Sequence, residues 1–326
     1  MSRVVNCTAS VAAALVLLVA TPSLAQSPTP AQLAPGQNCA FVTQAHADAS
    51  AGTPNVNHDG SPLPGVPAPD ISRGFQGIPR SAQPPLTASQ QRILECTHHL
   101  ADAGADMPYA LFVPSTYTPG KPAPLVVDLH GLNITPLMQM LFDGTTDYAE
   151  RYGFIVVAPM GYSLSGWWGA RSGRPGELSE LDAMTLLSLI RQRYAIDRDR
   201  IYLMGHSMGG AGTYYLGAKY NDIWAGIAPI SAAGGIPDAA AAERYRSFAT
   251  LLMHGEKDSI VSVNGSRRAA LLLQGAGAQH LYLEFPGQDH EFWIRRGADN
   301  MEKVFLFFAT VSKRTNKGFI TPEKIQ

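Results

Sequence analysis

The stretch RIYLMGHSMGGAGTYYLGAKY, Arg200 to Tyr220, passes from an apolar run through a glycine-rich turn into a second apolar-periodic run. Ile201, Tyr202, Leu203 and Met204 predict a short buried strand, and Thr213 to Tyr220 predicts a helix. Between them, Gly205-His206-Ser207-Met208-Gly209 fits G-x-S-x-G, the sharp strand-to-helix turn that holds a serine hydroxyl exposed at a sheet edge. Small residues flank the serine because such a turn is cramped. Gly209, Gly210 and Gly212 fall in the first turns of the helix, where each costs roughly 1 kcal/mol relative to alanine. A helix with a purely structural duty has little reason to carry that cost. The alternative reading of the stretch is a glycine-rich strand-helix junction without a nucleophile.

A serine hydroxyl becomes nucleophilic only beside a general base that a third group orients. On a strand-turn-helix serine the expected chain order is serine, acid, histidine. Leu251-Leu252-Met253 ends in His254-Gly255-Glu256-Lys257-Asp258, which places acidic groups just past a strand. Asp258 is the expected acid, with Glu256 in reserve and a turn or N-cap role as the structural alternative for Asp258. After the next strand pattern, Pro286-Gly287-Gln288-Asp289-His290 is a turn cluster able to carry His290 back over the sheet edge as general base. His280 precedes that strand and is expected at the opposite edge. An oxyanion needs two preorganised N–H donors. One is expected from Met208, directly after the serine at the positive end of a helix. The other is expected from Leu132, in the loop Leu129-His130-Gly131-Leu132, with His130 bracing that loop.

Strands and helices alternate through the rest of this region. Strands are predicted at Tyr109 to Val113, Leu125 to Leu129, Phe154 to Ala158, Trp224 to Ile230, Ala249 to Met253 and Leu281 to Phe285. Helices are predicted at Pro136 to Tyr152, Leu178 to Tyr194, Asn264 to Gln274 and Asp299 to Ser312, with Ser179 and Asp182 as a capping box. The pattern predicts an α/β fold with a mostly parallel sheet covered on both faces, whose reactive loops gather at the carboxyl ends of the strands.

The two ends differ. Arg3, the apolar run Val11 to Ala20 and the small residues Ser23 and Ala25 read as a signal peptide over 1–25. That apolar core is shorter than the ~20 residues a membrane span needs, so no stable membrane anchor is expected. Residues 26–105 read as a Pro/Ala-rich extension. Near its end, Thr87 to Ala103 predicts a helix capped by Thr87, with Ile93, Leu94 and Leu100 apolar and Gly104 as its stop. Residues 106–326 read as the catalytic domain. His46, His58 and Asp59 lack a metal-ligand spacing and read as solvated loop residues; His98 and His99 read as surface or packing residues. Cys7 leaves with the signal peptide, and the remaining pair, Cys39 and Cys96, predicts a disulfide in a secreted or periplasmic protein, two buried thiols being the alternative. With 25 Lys and Arg against 26 Asp and Glu, and no basic run, no nucleic-acid partner is expected. No phosphate loop or metal-ligand cluster is visible, so neither cofactor nor metal is expected, and nothing in the pattern fixes an oligomeric state.

LHGL, GHSMGG, HGEKD and GQDH, in that order, make the region from about Met107 to Ser312 resemble an α/β-hydrolase. It is similar to secreted bacterial esterases grouped with feruloyl esterases, acetyl-xylan esterases and polyhydroxyalkanoate depolymerases. The resemblance implies a catalytic triad on Ser207, Asp258 and His290, oxyanion donors on Leu132 and Met208, and hydrolysis of a small-molecule or polymeric ester through an acyl-enzyme. Nothing in it specifies the substrate. Trp167 and Trp168, in a loop after the strand ending at Ala158, and Trp293, close to His290, are expected either to wall the substrate cleft or to pack the domain. Arg171 and Arg174 read as solvated charge, an acidic substrate being the alternative. A serine peptidase of the prolyl-oligopeptidase type and an inactive carbohydrate- or polymer-binding protein are the competing functions. A histidine base predicts activity that rises with pH as the imidazole loses its proton.

Overall fold

In a parallel sheet covered on both faces a strand has no solvent side, so its residues run apolar without alternation. Strand β4, Ala123–Leu129, meets that description: all seven of its residues are buried, Asp128 included. The computed structural model describes residues 29, 38–52 and 84–316. The predicted signal peptide, His58 and Asp59 lie outside the described residues.

The described residues form a nine-stranded sheet in the order β1-β2-β3-β5-β4-β6-β7-β8-β9. Its strands are β1 (Asn38–Phe41), β2 (Leu94–Leu100), β3 (Ala105–Phe112), β4, β5 (Ile155–Pro159), β6 (Ile196–His206), β7 (Gly226–Ile230), β8 (Ala249–Gly255) and β9 (His280–Phe285). From β5 to β9 every neighbouring pair is parallel, whereas β1, β2, β3 and β5 pair antiparallel. Alternate residues feed two separate cores. Leu125, Val127, Ile201 and Leu203 face one, with Leu186 and Ile190 of helix α4 (Arg174–Arg193) and Tyr214 and Leu216 of α5 (Met208–Lys219). Val126, Tyr202 and Met204 face the other, where Phe305 and Phe308 of α9 (Ala298–Thr310) pack. Helix α1 (Gln44–Gly52) precedes β2; α2 (Pro136–Met140) and α3 (Thr145–Tyr152) follow β4. After β7 come α6 (Ala239–Ala242) and, past β8, α7 (Asn264–Gly275); α8 (Phe292–Arg295) follows β9, and α10 (Lys313–Asn316) comes last. No helix of the described residues is long and apolar enough to cross a membrane.

Four local expectations are corrected. The predicted helix over 87–103 is a single 3-10 turn, Gln90–Arg92, followed by strand β2. Leu94, Cys96, His98 and Leu100 are buried and the residues between them are not, a period of two that the apolar positions alone concealed because Cys96 and His98 also point inward. Strands β1 and β2 are thereby bonded into the same sheet as β3, across the expected boundary near 105. The predicted helix over 136–152 breaks into α2 and α3 at Gly144, which adopts φ 84°. Ser179 and Asp182 do not cap a helix; α4 begins earlier, at Arg174, and both side chains are buried along it. His46 is buried and paired with Glu95 rather than solvated. Cys39 and Cys96 face each other across β1 and β2 and are joined by a disulfide.

Candidate active site

The turn after β6 is as tight as the glycine spacing implies. A Cβ on Gly209 would lie 1.9 Å from the Leu129 carbonyl oxygen, and one on Gly205 would lie 2.5 Å from that of Gly209. Gly210 abuts Ala232 and Gly212 abuts the Trp168 side chain in the same way. The glycine cost in α5 therefore lets the helix approach β4 and its neighbouring loops closely. Ser207 sits at φ 59°, ψ −113°, a conformation that costs a non-glycine residue on the order of 1–3 kcal/mol. Its N–H donates to the Ile230 carbonyl at 2.9 Å, and its own carbonyl accepts from Ala211 N and Ala233 N. The surrounding chain thus fixes the serine at both of its backbone groups. Its side chain is not exposed as expected: the residue is only 6% accessible, because His290 covers the hydroxyl.

The loops after β8 and β9 bring the other two residues to Ser207. Ser207 Oγ lies 2.9 Å from His290 Nε2, and His290 Nδ1 lies 2.7 Å from Asp258 Oδ2. Burial alone would raise the Asp258 pKa, but hydrogen bonds from His254 and His290 and from the Val261 amide hold it well below the usual carboxylate range. A carboxylate only accepts, so the Nδ1 proton points at Asp258 and Nε2 is left to accept from the serine hydroxyl. Asp258 Oδ1 takes the Ile260 and Val261 amides at 3.0 and 2.7 Å, which fixes the carboxylate plane. Asp289 ties the two loops together, accepting from Ser259 N and from His290 N at 2.8 Å each. Glu256, the reserve acid, is used otherwise: its carboxylate accepts from Gly287 N at 2.8 Å. His280 begins β9, at the opposite edge of the sheet.

Two further histidines back this arrangement without having been assigned from sequence. His206 Nε2 donates to the His290 carbonyl at 3.0 Å, and the two rings lie 4.8 Å apart. Burial, with His290 beside it, lowers the His206 pKa to about 3, so the ring stays neutral next to the His290 imidazole. His254 Nε2 lies 3.1 Å from Asp258 Oδ2, and its Nδ1 lies 2.8 Å from Ser266 Oγ. The signals were present in the strings GHS and HGEKD, but a histidine before a serine or a glycine has no fixed meaning until the strands place it.

Gly131 lies against Ser207: a Cβ there would be 3.5 Å from Ser207 Cβ, which brings the loop of Leu132 to the serine. Among the described residues the Leu132 N–H has no protein acceptor. Met208 is the first residue of α5, where the amide has no intrahelical partner. His130 is fully buried with its ring nitrogens 2.8 Å from the carbonyls of Gly131 and Met160, which ties the loops after β4 and β5 together. Asp182 and Ser179 hold the second of these loops, accepting from Gly161 N at 2.6 Å and Trp168 N at 3.0 Å.

The tryptophans divide. Trp168 is fully buried, its indole N–H donating to the His130 carbonyl at 3.3 Å, and Trp293 is 4% accessible and stacked on Phe285. Both pack the domain, so neither walls a cleft. Trp167 is half-buried at φ 61°, with the Arg171 guanidinium 3.3 Å from its ring centroid. The exposed apolar residues near His290 and Asp258 in the chain are others: Phe292 at 76%, two positions after His290, and Ile260 at 59%, two after Asp258. Sequence offered no signal that Phe292, not its neighbour Trp293, faces outward. Among the described residues no three His, Cys, Asp or Glu side chains are grouped as metal ligands.

Strand order, a serine on a strained turn after β6, and an acid and a histidine after β8 and β9 together define an α/β-hydrolase. Residues 101–293 match the Esterase family, and the chain belongs to it. It is 31% identical over 120 residues to feruloyl esterase B of Neurospora crassa, covering 33% of this chain and 40% of that protein. It is 27% identical over 161 residues to a bifunctional acetylxylan esterase/xylanase of Neocallimastix patriciarum, covering 49% of this chain and 23% of the other. The chain thus spans less than half the length of each of these relatives. A crystal structure of a thermostable esterase superposes with a TM-score of 0.58 at 25% identity, covering 68% of this chain and 63% of that one.

Proposed function

We propose that the protein is a serine carboxylic ester hydrolase working through an acyl-enzyme, with Ser207 as nucleophile, His290 as general base and acid, and Asp258 as its orienting carboxylate. The observation that carries this reading is the continuous chain from Ser207 Oγ to His290 Nε2 at 2.9 Å and from His290 Nδ1 to Asp258 at 2.7 Å. Ser207 Oγ attacks the ester carbonyl carbon as His290 takes its proton, and the carbonyl oxygen becomes an oxyanion facing the Leu132 and Met208 amides. On collapse the C–O bond to the alcohol breaks, and the alcohol leaves with the proton from His290. Water then attacks the acyl-serine carbonyl, again deprotonated by His290, and the acid departs as Ser207 regains its proton.

Feruloyl and acetylxylan ester hydrolysis among the relatives supports an ester attached to a carbohydrate or a phenolic acid; a polyester is a further candidate, in keeping with a poly(3-hydroxyalkanoate) depolymerase relative. Secretion is supported by the disulfide and by the N-terminal pattern of charge, apolar run and small residues. The test is a fluorophosphonate probe with a substrate panel of p-nitrophenyl acetate, longer acyl esters, methyl ferulate and aminoacyl-proline amides. Labelling of the wild type but not of Ser207→Ala, with ester turnover, is expected. Amide turnover without ester turnover refutes the ester hydrolase, and a folded, unlabelled wild type refutes the nucleophile.

A further inference from the structure

A cavity of about 560 Å³ runs beside the nucleophile without including the triad. Ala211, Tyr215 and Lys219, spaced four apart, supply one wall from a single face of α5, and Ala170, Ala233 and Arg244 supply the others from the loops after β5 and β7. At its near end are Ala211 and Ala233, whose amides both donate to the backbone carbonyl of Ser207, at 3.1 and 2.9 Å. Its far end lies at Lys219 and Arg244. From Ala211 to Lys219 the helix advances about 12 Å, so the groove suits an extended chain and not an acetyl group alone.

The far end is electropositive. Lys219 Nζ is already paired with Glu180, at 2.5 Å, and lies 3.1 Å from the Tyr215 hydroxyl. Arg244 is exposed, and among the described residues its guanidinium has no carboxylate partner; its bonds run through its backbone carbonyl to Asn221 and Ser247. Around the rim, Arg171 covers Trp167 and Arg268 donates to the Pro237 carbonyl at 2.6 Å. Against these four cations stand Glu180 and Asp238, the latter capping α6 through Ala241 N. The neighbouring Arg246 and Glu243 cancel each other. A guanidinium with its donors free at the end of a groove fits a planar carboxylate.

Resting on the proposed ester hydrolysis, we infer that this groove receives one arm of an extended ester that ends in a carboxylate, which Arg244 binds. The chain lies along α5 between alanine and tyrosine side chains, and the scissile carbonyl stays at Ser207. The anionic end selects the substrate; the triad selects the bond.

The test compares two series of equal chain length. On the acyl side, p-nitrophenyl hemiesters of linear dicarboxylic acids are set against their terminal methyl esters; on the alcohol side, acetates of ω-hydroxy acids are set against their terminal amides. In one series the wild type is expected to favour the carboxylate about tenfold in kcat/KM, mostly through KM, once the chain spans about 12 Å, and to lose that preference in high salt. Arg244→Gln should bring the ratio to about one, while Arg246→Gln keeps it. Binding of a long-chain dicarboxylate to Ser207→Ala, with and without Arg244→Gln, is measured in parallel. Ester turnover with no carboxylate preference in either series, or an Arg244-independent preference, overturns the inference alone. Absence of all ester turnover with Arg244-dependent dicarboxylate binding overturns the esterase reading and leaves the anion subsite standing.

Discussion

His254 lies in direct contact with the candidate catalytic acid: its Nε2 is 3.1 Å from the same Asp258 oxygen that His290 Nδ1 approaches at 2.7 Å. It is the penultimate residue of β8, four residues before Asp258, is fully buried, and is itself fixed by Ser266 Oγ. It positions the acid without meeting the substrate. Replacing His254 by Ala leaves the Ser266 hydroxyl and one carboxylate lone pair without that partner, at a cost of about 2 kcal/mol in stability. The expected kinetic result is a fall in kcat of roughly tenfold or more with KM little changed, as for an interaction used in the transition state, and partial recovery in His254→Gln. Equal kcat in wild type and His254→Ala would remove the residue from the acid's support.

Strain at Ser207 makes activity and stability move in opposite directions. Ser207→Gly removes the proposed nucleophile and relieves the positive-φ conformation, so denaturant unfolding should show a gain of about 1 kcal/mol after the greater freedom of unfolded glycine is subtracted. Ester turnover should fall by several orders of magnitude in the same variant and in Ser207→Ala. A less stable Ser207→Gly would mean that the turn is not strained.

Acid sensitivity should trace in part to His206. Its folded-state pKa, about 3, lies below the ~6.5 of an unfolded histidine, so between these values the unfolded chain binds the extra proton. The sign follows: this contribution is fully present above about pH 6.5 and is lost as pH falls towards 3, on the order of 5 kcal/mol over the whole window. His206→Gln should flatten the pH dependence of unfolding free energy in that range. An unchanged slope would place the acid sensitivity elsewhere.

Gly209→Ala tests the close approach of α5 to β4. The added methyl would meet the Leu129 carbonyl at 1.9 Å, and backbone cannot swing aside as a side chain does. Loss of at least 3 kcal/mol, or failure to fold, is expected. Gly277→Ala is a comparison at an open site, where a Cβ meets nothing within 4 Å and only the positive φ of 64° is unfavourable. Similar melting temperatures for the two variants would contradict the packing argument.

The disulfide closes 57 residues of chain, worth about 4 kcal/mol on the chain-entropy view, and it lies across β1 and β2, strands apart from those that carry Ser207, Asp258 and His290. Cys39→Ser with Cys96→Ser should therefore lower the melting temperature while kcat on p-nitrophenyl acetate at 25 °C stays near that of the wild type. Two free thiols labelled in the denatured, unreduced wild type would remove the bond itself.

The parallel half of the fold was legible because β4, β5, β7 and β8 are nearly continuous apolar runs, interrupted only by Asp128, Thr250 and His254, each ending at a loop with its own chemistry. Such runs state both burial and direction. The antiparallel edge was not legible: β2 carries a glutamate, a cysteine, a threonine and two histidines, so its period of two is invisible to any count of apolar residues. The order of motifs suggested that Ser207, Asp258 and His290 belong together, and the structure does bring them within hydrogen-bond reach. Their support was hidden, because Asp182, Ser179 and His206 do their work across gaps of up to 84 residues. Trp293 and Phe292 show the finer limit: adjacent in sequence, one packs inward and the other faces solvent, and only the turn of α8 decides which.

The groove along α5 takes its opposing walls from the segments after β5 and β7, whereas the proposed triad arrives after β6, β8 and β9. Recognition and bond cleavage are thus written on different connections of the same sheet. Residues Pro237 to Arg244, which unlike Ala233 make no backbone bond to Ser207 among the described residues, can be recharged while the proposed proton relay keeps its own scaffold, so a lineage can trade one ester for another without rebuilding its chemistry.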